Sequence, residues 1–386
     1  MANKRRKSKH LNYSTLKIII DNKIPLLKGL FEPWAEVEYV QGNLISKDNT
    51  RDADAMIIRT RTKCNADLLE GSSVRFIGTA TIGTDHIDTD WCNKNNIYVA
   101  SAPGCNSGSV MQYICSVLIY FSRKYNIDPG QTNFGIIGVG NVGSKVFKMA
   151  KALGFNMLLN DPPKEREGAG YDFISLDKLL NDSDIISMHV PLTQSGKDKT
   201  RMMADETFFR RMKKDSLFIN TSRGQVVDEN ALGDVLLNNK LKAAALDVWT
   251  GEPAINTELM NLADIATAHI AGYSADGKAK GSMMVVRQVA EHFDLPLKNW
   301  EPEDIDPPEN PVIDLPDARG SINDSVARAV LHSYNIEYDS NLLKNNPGDF
   351  EQLRGNYHNR REFHAYRVKS EDIAVINKLK KLGFKF

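Results

Sequence analysis

A chain of 386 residues is too long for one ordinary domain and is expected to divide into two or three. Hydrophobic residues make up 41% and charged residues 25%, and 49 basic side chains balance 49 acidic ones. This is a globular composition with no general attraction for nucleic acid or an anionic membrane. Cys64, Cys92, Cys105 and Cys115 form no Cys-x-x-Cys pair and no zinc-spaced cluster, so they read as reduced thiols of a cytoplasmic protein without a metal; no apolar run approaches the roughly 20 residues that span a bilayer.

In chain order, residues 1–15 (MANKRRKSKHLNYST) are basic and polar and lack the apolar core of a secretory signal. They read as a flexible tail of solvated charge, with a loose nucleic-acid or membrane contact as the weaker alternative. From 16 to 100, LKIII (16–20), VEYV (37–40), AMIIR (55–59), RFIGT (75–79) and IYVAS (97–101) predict strands rich in isoleucine and valine. Spacers such as IPLLKGLFEPW have room for helices, and the alternation predicts a parallel sheet with helices on its faces. Residues 108–123 are apolar nearly all round, which predicts a helix buried between layers or domains.

Residues 132–270 repeat the alternation. Strands are expected at FGIIG (134–138), NMLLN (156–160), DIISMHV (184–190), SLFINT (216–221), KAAALDV (242–248) and DIATA (264–268). Helices fall between them, including SKVFKMAKAL and ENALGDVLLN, and the whole predicts a doubly wound sheet. Near residue 300 the segment WEPEDIDPPENPVIDLPD is rich in proline and acid and reads as a linker or wrapping arm. Beyond it, 318–386 hold two or three helical patterns and a strand, FHAYRV: a small α+β appendage.

Gly138-Val-Gly140-Asn-Val-Gly143 is a weak motif alone, but here it follows an apolar strand and opens a helix. Gly138 permits a tight turn, Gly140 lets backbone approach a pyrophosphate, and Gly143 lets helix and strand pack closely. Asn141 and Val142 complete the loop, and the helix N-terminus offers amides and a positive dipole end to phosphate. Asp161 ends the next strand, where a carboxylate can bind a ribose diol and repel a 2′-phosphate, and Pro162 and Pro163 follow it instead of an arginine. That favours NAD over NADP. The bland alternative is an aspartate capping a turn.

Three further residues stand just past the ends of successive strands: Arg223 in INTSRGQVVDENAL, Glu252 in LDVWTGEP and His269 in IATAHIAGYS. Ligands of open α/β sheets bind at those ends. Oxidising a 2-hydroxy acid needs a cation for its carboxylate, a base for its hydroxyl proton and a partner for that base. Arginine, histidine and a carboxylate suit these parts. Singly each residue has an ordinary explanation as a surface arginine, a loop acid or a packed histidine; together, beside a dinucleotide motif, they point to catalysis.

The set GVGNVG, INTSRGQVVDE, LDVWTGEP and AHIAGY resembles the D-isomer-specific 2-hydroxyacid dehydrogenases, over about 17–300. GTATIGTDHID (78–88), SAPGCNSGSV (101–110), LLNDPP (158–163), AHIAGYSADGKAKG (268–281) and the tail GDFEQLRGNYHNRREF (348–363) with KLGF (381–384) are similar to a branch of that family. Its members act on a phosphorylated four-carbon hydroxy acid in vitamin B6 biosynthesis, and this resemblance runs from about 16 to 386.

The resemblance implies two doubly wound parallel-sheet domains. A flavodoxin-like substrate-binding domain would take 16–106 and 277–300, a Rossmann NAD-binding domain 107–276, and a small C-terminal α+β dimerisation domain 301–386, in a homodimer. It also implies roles: Arg223 for the substrate carboxylate, His269 as acid/base, Glu252 as its partner. Asp161 would hold the adenosine ribose, with Thr221, Asp247 near the nicotinamide, and Gly272 also at the cofactor. Thr60, Thr81 and Tyr273 would meet substrate. Two basic sets are candidates for the substrate phosphate. They are Arg59, Arg61 and Lys63, and Arg354, Arg360 and Arg361; the second set is expected to reach a partner subunit or to pair with linker acids. The alternatives are another dehydrogenase of the family, of phosphoglycerate or hydroxypyruvate type, an NAD-sensing corepressor-like binding protein, and an inactive scaffold.

Overall fold

The computed structural model describes residues 16–303, 305–315 and 321–386; the basic segment 1–15 lies outside the described residues. The chain forms two compact units. One takes residues up to Cys105 together with Lys278–Ile305, and the other takes Asn106–Gly277 with Asp306–Phe386.

In the first unit β1 (Lys17–Asp21), β2 (Glu36–Val40), β3 (Ala55–Ile58), β4 (Phe76–Thr79) and β5 (Tyr98–Ala100) form a parallel sheet in the order β2-β1-β3-β4-β5. This is the flavodoxin-like order. Ile18, Ile20, Ile57 and Phe76 enter one apolar layer, while Ile19, Met56, Ile58 and Ile77 enter the other. A strand buried on both faces is apolar at consecutive positions, which is why these strands read as unbroken runs. Val285, Val286, Val289, Leu295 and Leu297 complete the first layer from the distant second stretch of the unit.

The spacer between β1 and β2, where a helix had room, is a series of turns. Leu26 and Gly29 adopt positive φ (67° and 83°), and Pro25 and Pro33 lack backbone donors, so no helical ladder propagates there.

In the second unit β6 (Asn133–Ile137), β7 (Asn156–Asn160), β8 (Ile185–Met188), β9 (Ser216–Asn220), β10 (Leu241–Leu246) and β11 (Ile265–Ala266) are all parallel, in the order β7-β6-β8-β9-β10-β11. The winding reverses between β6 and β8, and a crevice opens at the carboxyl ends of strands at such a reversal. The helix Ser107–Tyr125 is buried along most of its girth, against the helices Gly143–Leu153, Ile322–Ser333 and Ile336–Asn345.

The proline-rich arm is more than a linker. It contributes β12 (Val312–Asp314), which pairs in parallel with β13 (Arg367–Lys369). Among the described residues four helices follow rather than two or three: Ile322–Ser333, Ile336–Asn345, Phe350–Gly355 and Ile373–Leu382. Of FHAYRV, Phe363–Ala365 is a 3-10 turn and only the end is strand. Ile313, Val326, Val330, Phe363 and Leu379 share one core with Val110, Ile136 and Val146, so this stretch is continuous with the packing of the dinucleotide sheet. Among the described residues no helix is long and apolar enough to cross a membrane.

Candidate active site

The glycine turn lies between β6 and the helix Gly143–Leu153. Gly138 has φ 90°, and a Cβ there would fall 2.7 Å from the carbonyl oxygen of His189. A Cβ on Gly143 would fall 1.9 Å from the Gly138 carbonyl oxygen, so strand and helix meet with no room for a side chain. Gly140 differs: nothing lies within 4 Å of its Cβ position. Bare backbone facing open space, with exposed Asn141 and half-buried Val142 at the start of a helix, suits a pyrophosphate.

Asp161 stands beside that turn. One carboxylate oxygen accepts the Val139 N–H at 2.7 Å and the other the Lys164 N–H at 3.0 Å, so it braces the glycine loop and caps the helix Pro162–Arg166. Two amides leave a carboxylate with acceptor capacity for a ribose diol, since it offers about four lone-pair positions. The capping and the ribose-binding readings are therefore compatible.

His189, directly after β8, was not among the expected site residues. Its Nε2 lies 2.9 Å from Ser187 Oγ and its Nδ1 3.5 Å from the hydroxyl of Thr221, the expected cofactor residue. Burial pushes this imidazole down to about 3, so it is neutral. Its position directly after a strand end at the sheet reversal was the available signal.

Past β9, Asn220 shapes the turn of Arg223. Its side-chain oxygen accepts from the Ser222 amide (3.0 Å) and hydroxyl (2.8 Å), and its amide group donates to the Arg223 carbonyl (3.0 Å). A Cβ on Gly224 would fall 2.0 Å from the Trp249 carbonyl carbon, so the Arg223 turn packs directly on the loop after β10. Trp249 is 1% exposed and its indole donates to the Thr267 carbonyl at 3.0 Å, tying that loop to the end of β11.

Glu252 and His269 meet there. Nδ1 of His269 lies 2.7 and 3.0 Å from the two Glu252 oxygens, and Oε1 also accepts the Trp249 N–H at 3.0 Å. An ionised carboxylate only accepts, so Nδ1 carries the hydrogen and Nε2 of the neutral ring keeps its lone pair. Burial alone would raise the Glu252 carboxyl; His269, the Trp249 amide and the Arg354 guanidinium outweigh it and hold the carboxyl below its ordinary value.

Asp247, expected near the nicotinamide, is buried and occupied with the protein itself. Its carboxylate accepts the Thr267 hydroxyl (2.6 Å) and the amides of Ile270 (2.7 Å) and Ala271 (2.9 Å). It thereby builds the turn in which His269 adopts a left-handed φ of 54°. Burial pushes its carboxyl upward. Gly272 follows; a Cβ there would fall 2.2 Å from the Asn106 side-chain nitrogen.

The tail arginines act within the chain. Arg354 donates from Nε to the Tyr273 hydroxyl at 3.1 Å, and its Nη1 lies 3.4 Å from Glu252 Oε2. Arg360 donates to the carbonyls of Ile270 (3.3 Å) and Ala271 (2.6 Å). Arg361 pairs with Asp276 through two nitrogens, each at 3.0 Å, and donates to the Asp306 carbonyl. The three are not one basic cluster: each has a different target on the segment 252–276.

Thr60 and Thr81 belong to the first unit. Thr60 is exposed past β3; the Thr81 hydroxyl lies 2.7 Å from that of Thr79. Arg59, read as a phosphate cation, pairs through Nε with the buried carboxylate of Asp21 at 3.0 Å, so its charge is matched inside the unit. Arg61 and Lys63 are exposed.

The model of the D-isomer specific 2-hydroxyacid dehydrogenase NAD binding domain matches residues 122–271, and a domain of unknown function matches 306–383. The chain is 47% identical to erythronate-4-phosphate dehydrogenase of Bacteroides thetaiotaomicron, over 92% of this chain and 99% of the relative. It is 38% identical to the enzyme of that name from Cronobacter sakazakii, over 96% and 98%. Among solved structures, D-lactate dehydrogenase from Aquifex aeolicus, complexed with NAD and lactic acid, is 25% identical with a TM-score of 0.60, covering 72% of this chain and 96% of that one. The NAD-bound 3-phosphoglycerate dehydrogenase of Entamoeba histolytica, 22% identical, shares the fold with a TM-score of 0.62 over 75% and 99%.

Proposed function

We propose that this chain, which belongs to the erythronate-4-phosphate dehydrogenases of the D-isomer-specific 2-hydroxyacid dehydrogenase family, oxidises 4-phospho-D-erythronate at C2 to 2-oxo-3-hydroxy-4-phosphobutanoate, a step toward pyridoxal phosphate. The observation that carries this reading is the Glu252–His269 pair, joined at 2.7 Å with Nε2 of the imidazole left for a substrate hydroxyl.

Arg223 clamps the substrate carboxylate. Nε2 of His269 takes the C2 hydroxyl proton, and the Glu252 carboxylate holds the ring in orientation and stabilises the imidazolium that results. Gly138, Gly140, Asn141, Val142 and Gly143 would hold the pyrophosphate of NAD and Asp161 its ribose, with Thr221 and Gly272 beside it. When bound, NAD supplies the acceptor for the C2 hydride. Thr60, Thr81 and Tyr273 contact substrate. The segment 306–383 serves dimerisation, giving a cytoplasmic homodimer; four buried cysteines that form no disulfide support a reducing compartment.

The test is reduced-nicotinamide absorbance from purified protein, NAD and 4-phospho-D-erythronate, with 3-phosphoglycerate and D-lactate in parallel and 2-oxo acids in a reverse set. Turnover of the phosphorylated four-carbon acid, lost in Arg223→Ala, supports the assignment. Turnover of another acid alone replaces the substrate, and silence with every acid despite NAD binding overturns the enzymatic reading. Light scattering at several concentrations decides the dimer.

A further inference from the structure

We propose that Arg354, delivered by the C-terminal segment of the same chain, is a positioning residue of the Glu252–His269 pair; this rests on the proton-transfer role given to that pair above. The two oxygens of Glu252 are restrained by different means. A backbone amide, that of Trp249, fixes Oε1 at 3.0 Å, and the Arg354 guanidinium stands 3.4 Å from Oε2, the oxygen nearest His269 Nδ1. With only the amide, the carboxylate can pivot about Oε1; with the guanidinium it is held at both ends. The Arg354 side chain is 14% exposed, so the contact is shielded from water and salt.

The same guanidinium holds Tyr273, through its hydroxyl at 3.1 Å. One planar cation thus spans the acid partner of His269 and a residue of the loop that follows it. Arginine suits this because its donors leave in fixed, divergent directions in one plane.

Arg354 sits on the six-residue helix Phe350–Gly355, which is too short to place it alone. Phe350, with Leu353 packed against the same cluster, anchors it in the core that holds Trp249 and Ile255. Downstream, Arg360 binds the Ile270 and Ala271 carbonyls, and its carbonyl accepts the Ala275 N–H at 2.9 Å. Arg360 Nε and Nη1 have no hydrogen-bond partner, but its guanidinium carbon lies 4.3 Å from the Tyr334 ring centroid, a cation–π contact. Asp276 accepts Arg361 and the Glu362 amide, and Glu362 accepts the Ser274 hydroxyl. The stretch 354–362 therefore grips the His269 loop at successive points, and Arg354 is the grip that reaches the acid itself.

The experiment is a double-mutant cycle between Arg354→Met and Glu252→Gln. Two readouts are used: turnover, and the rate at which diethyl pyrocarbonate modifies His269, identified with His269→Asn. Arg354→Met is expected to lower kcat about tenfold or more, with KM for NAD changed less than about twofold. It is expected to change the His269 modification rate about threefold, and to add nothing in the Glu252→Gln background. Free guanidinium restores part of the lost kcat. A wild-type kcat and modification rate, or losses that add fully to those of Glu252→Gln, overturn the proposal. If Arg354→Met does not fold, Arg354→Lys decides: reduced kcat only where Glu252 is present supports it, and full activity overturns it. Absence of turnover in the unsubstituted enzyme is a failure of the functional reading, and the modification rate then decides the positioning role.

Discussion

The backbone N–H of His269 donates to the carbonyl oxygen of Asp247 at 2.8 Å, and the carboxylate of the same aspartate accepts the next two amides. A buried acid on the strand side thus dictates the conformation of the histidine turn. The left-handed backbone of His269 costs about 1–2 kcal/mol for an L-residue, and these hydrogen bonds offset it. Asp247→Ala leaves two buried amides without acceptors. It is expected to lower unfolding stability by about 3 kcal/mol, at about 1–3 kcal/mol per orphaned group. Activity should fall further than stability accounts for. Urea unfolding beside kcat measures both, and a variant of native stability would refute the assignment.

The second and third glycines of the dinucleotide turn should separate fold from binding. Gly140→Ala places its methyl in open space, so the melting temperature should hold while NAD affinity falls about tenfold or more, equivalent to about 1.4 kcal/mol. Gly143→Ala drives a methyl into the Gly138 carbonyl and should lower both. Titration calorimetry with NAD, alongside melting curves, distinguishes them; unchanged NAD affinity in Gly140→Ala would remove the pyrophosphate from that face.

Asp276 should make stability depend on pH. Burial opposes its ionisation, but hydrogen bonds from His364, Arg361 and the Glu362 amide prevail and hold the carboxyl well below the ordinary range. A depressed folded-state value means its contribution is complete above the unfolded value of about 4 and is lost as pH falls toward the folded one. Asp276→Asn should cost about 3 kcal/mol at pH 7, as breaking a buried ion pair does. Urea midpoints of wild type and variant should draw together as pH falls below about 4. A gap that stays constant between neutral and acid pH excludes this account.

The thiols should be silent until the chain unfolds. All four cysteines are buried, and burial pushes Cys64 up to about 12 and raises Cys92 and Cys115 as well. A thiol reacts as its thiolate, so iodoacetamide at mildly alkaline pH should label native protein negligibly and denatured protein fully. Rapid labelling of Cys64 in the native protein, read by mass spectrometry, would contradict its burial.

The strands were legible because both sheets are buried on two faces, which turns each strand into a continuous apolar run such as LKIII or AMIIR. Arg223, Glu252 and His269 were legible because they follow strand ends. Other features depend on partners far away in the chain. β12 is three residues long and hidden among prolines, and it exists only because β13 pairs with it. Arg354 carries no local sign that it reaches a carboxylate 102 positions earlier. Asp247 stands in a recognisable motif, but the backbone amides that occupy it have no sequence signature. In the spacer after β1, where a helix had room, Leu26 and Gly29 turn the chain at positive φ instead.

The divided composition of the first unit has a consequence for biosynthesis. Its opening stretch ends at Cys105, but Val285, Val286, Val289 and Leu297, which cover Ile18, Ile20 and Phe76, come after an insertion of about 170 residues. At about 5–20 residues per second, a ribosome leaves that apolar face unfinished for on the order of ten to thirty seconds. During this interval the nascent chain presents an apolar sheet face whose cover has not yet been made, a surface prone to aggregation.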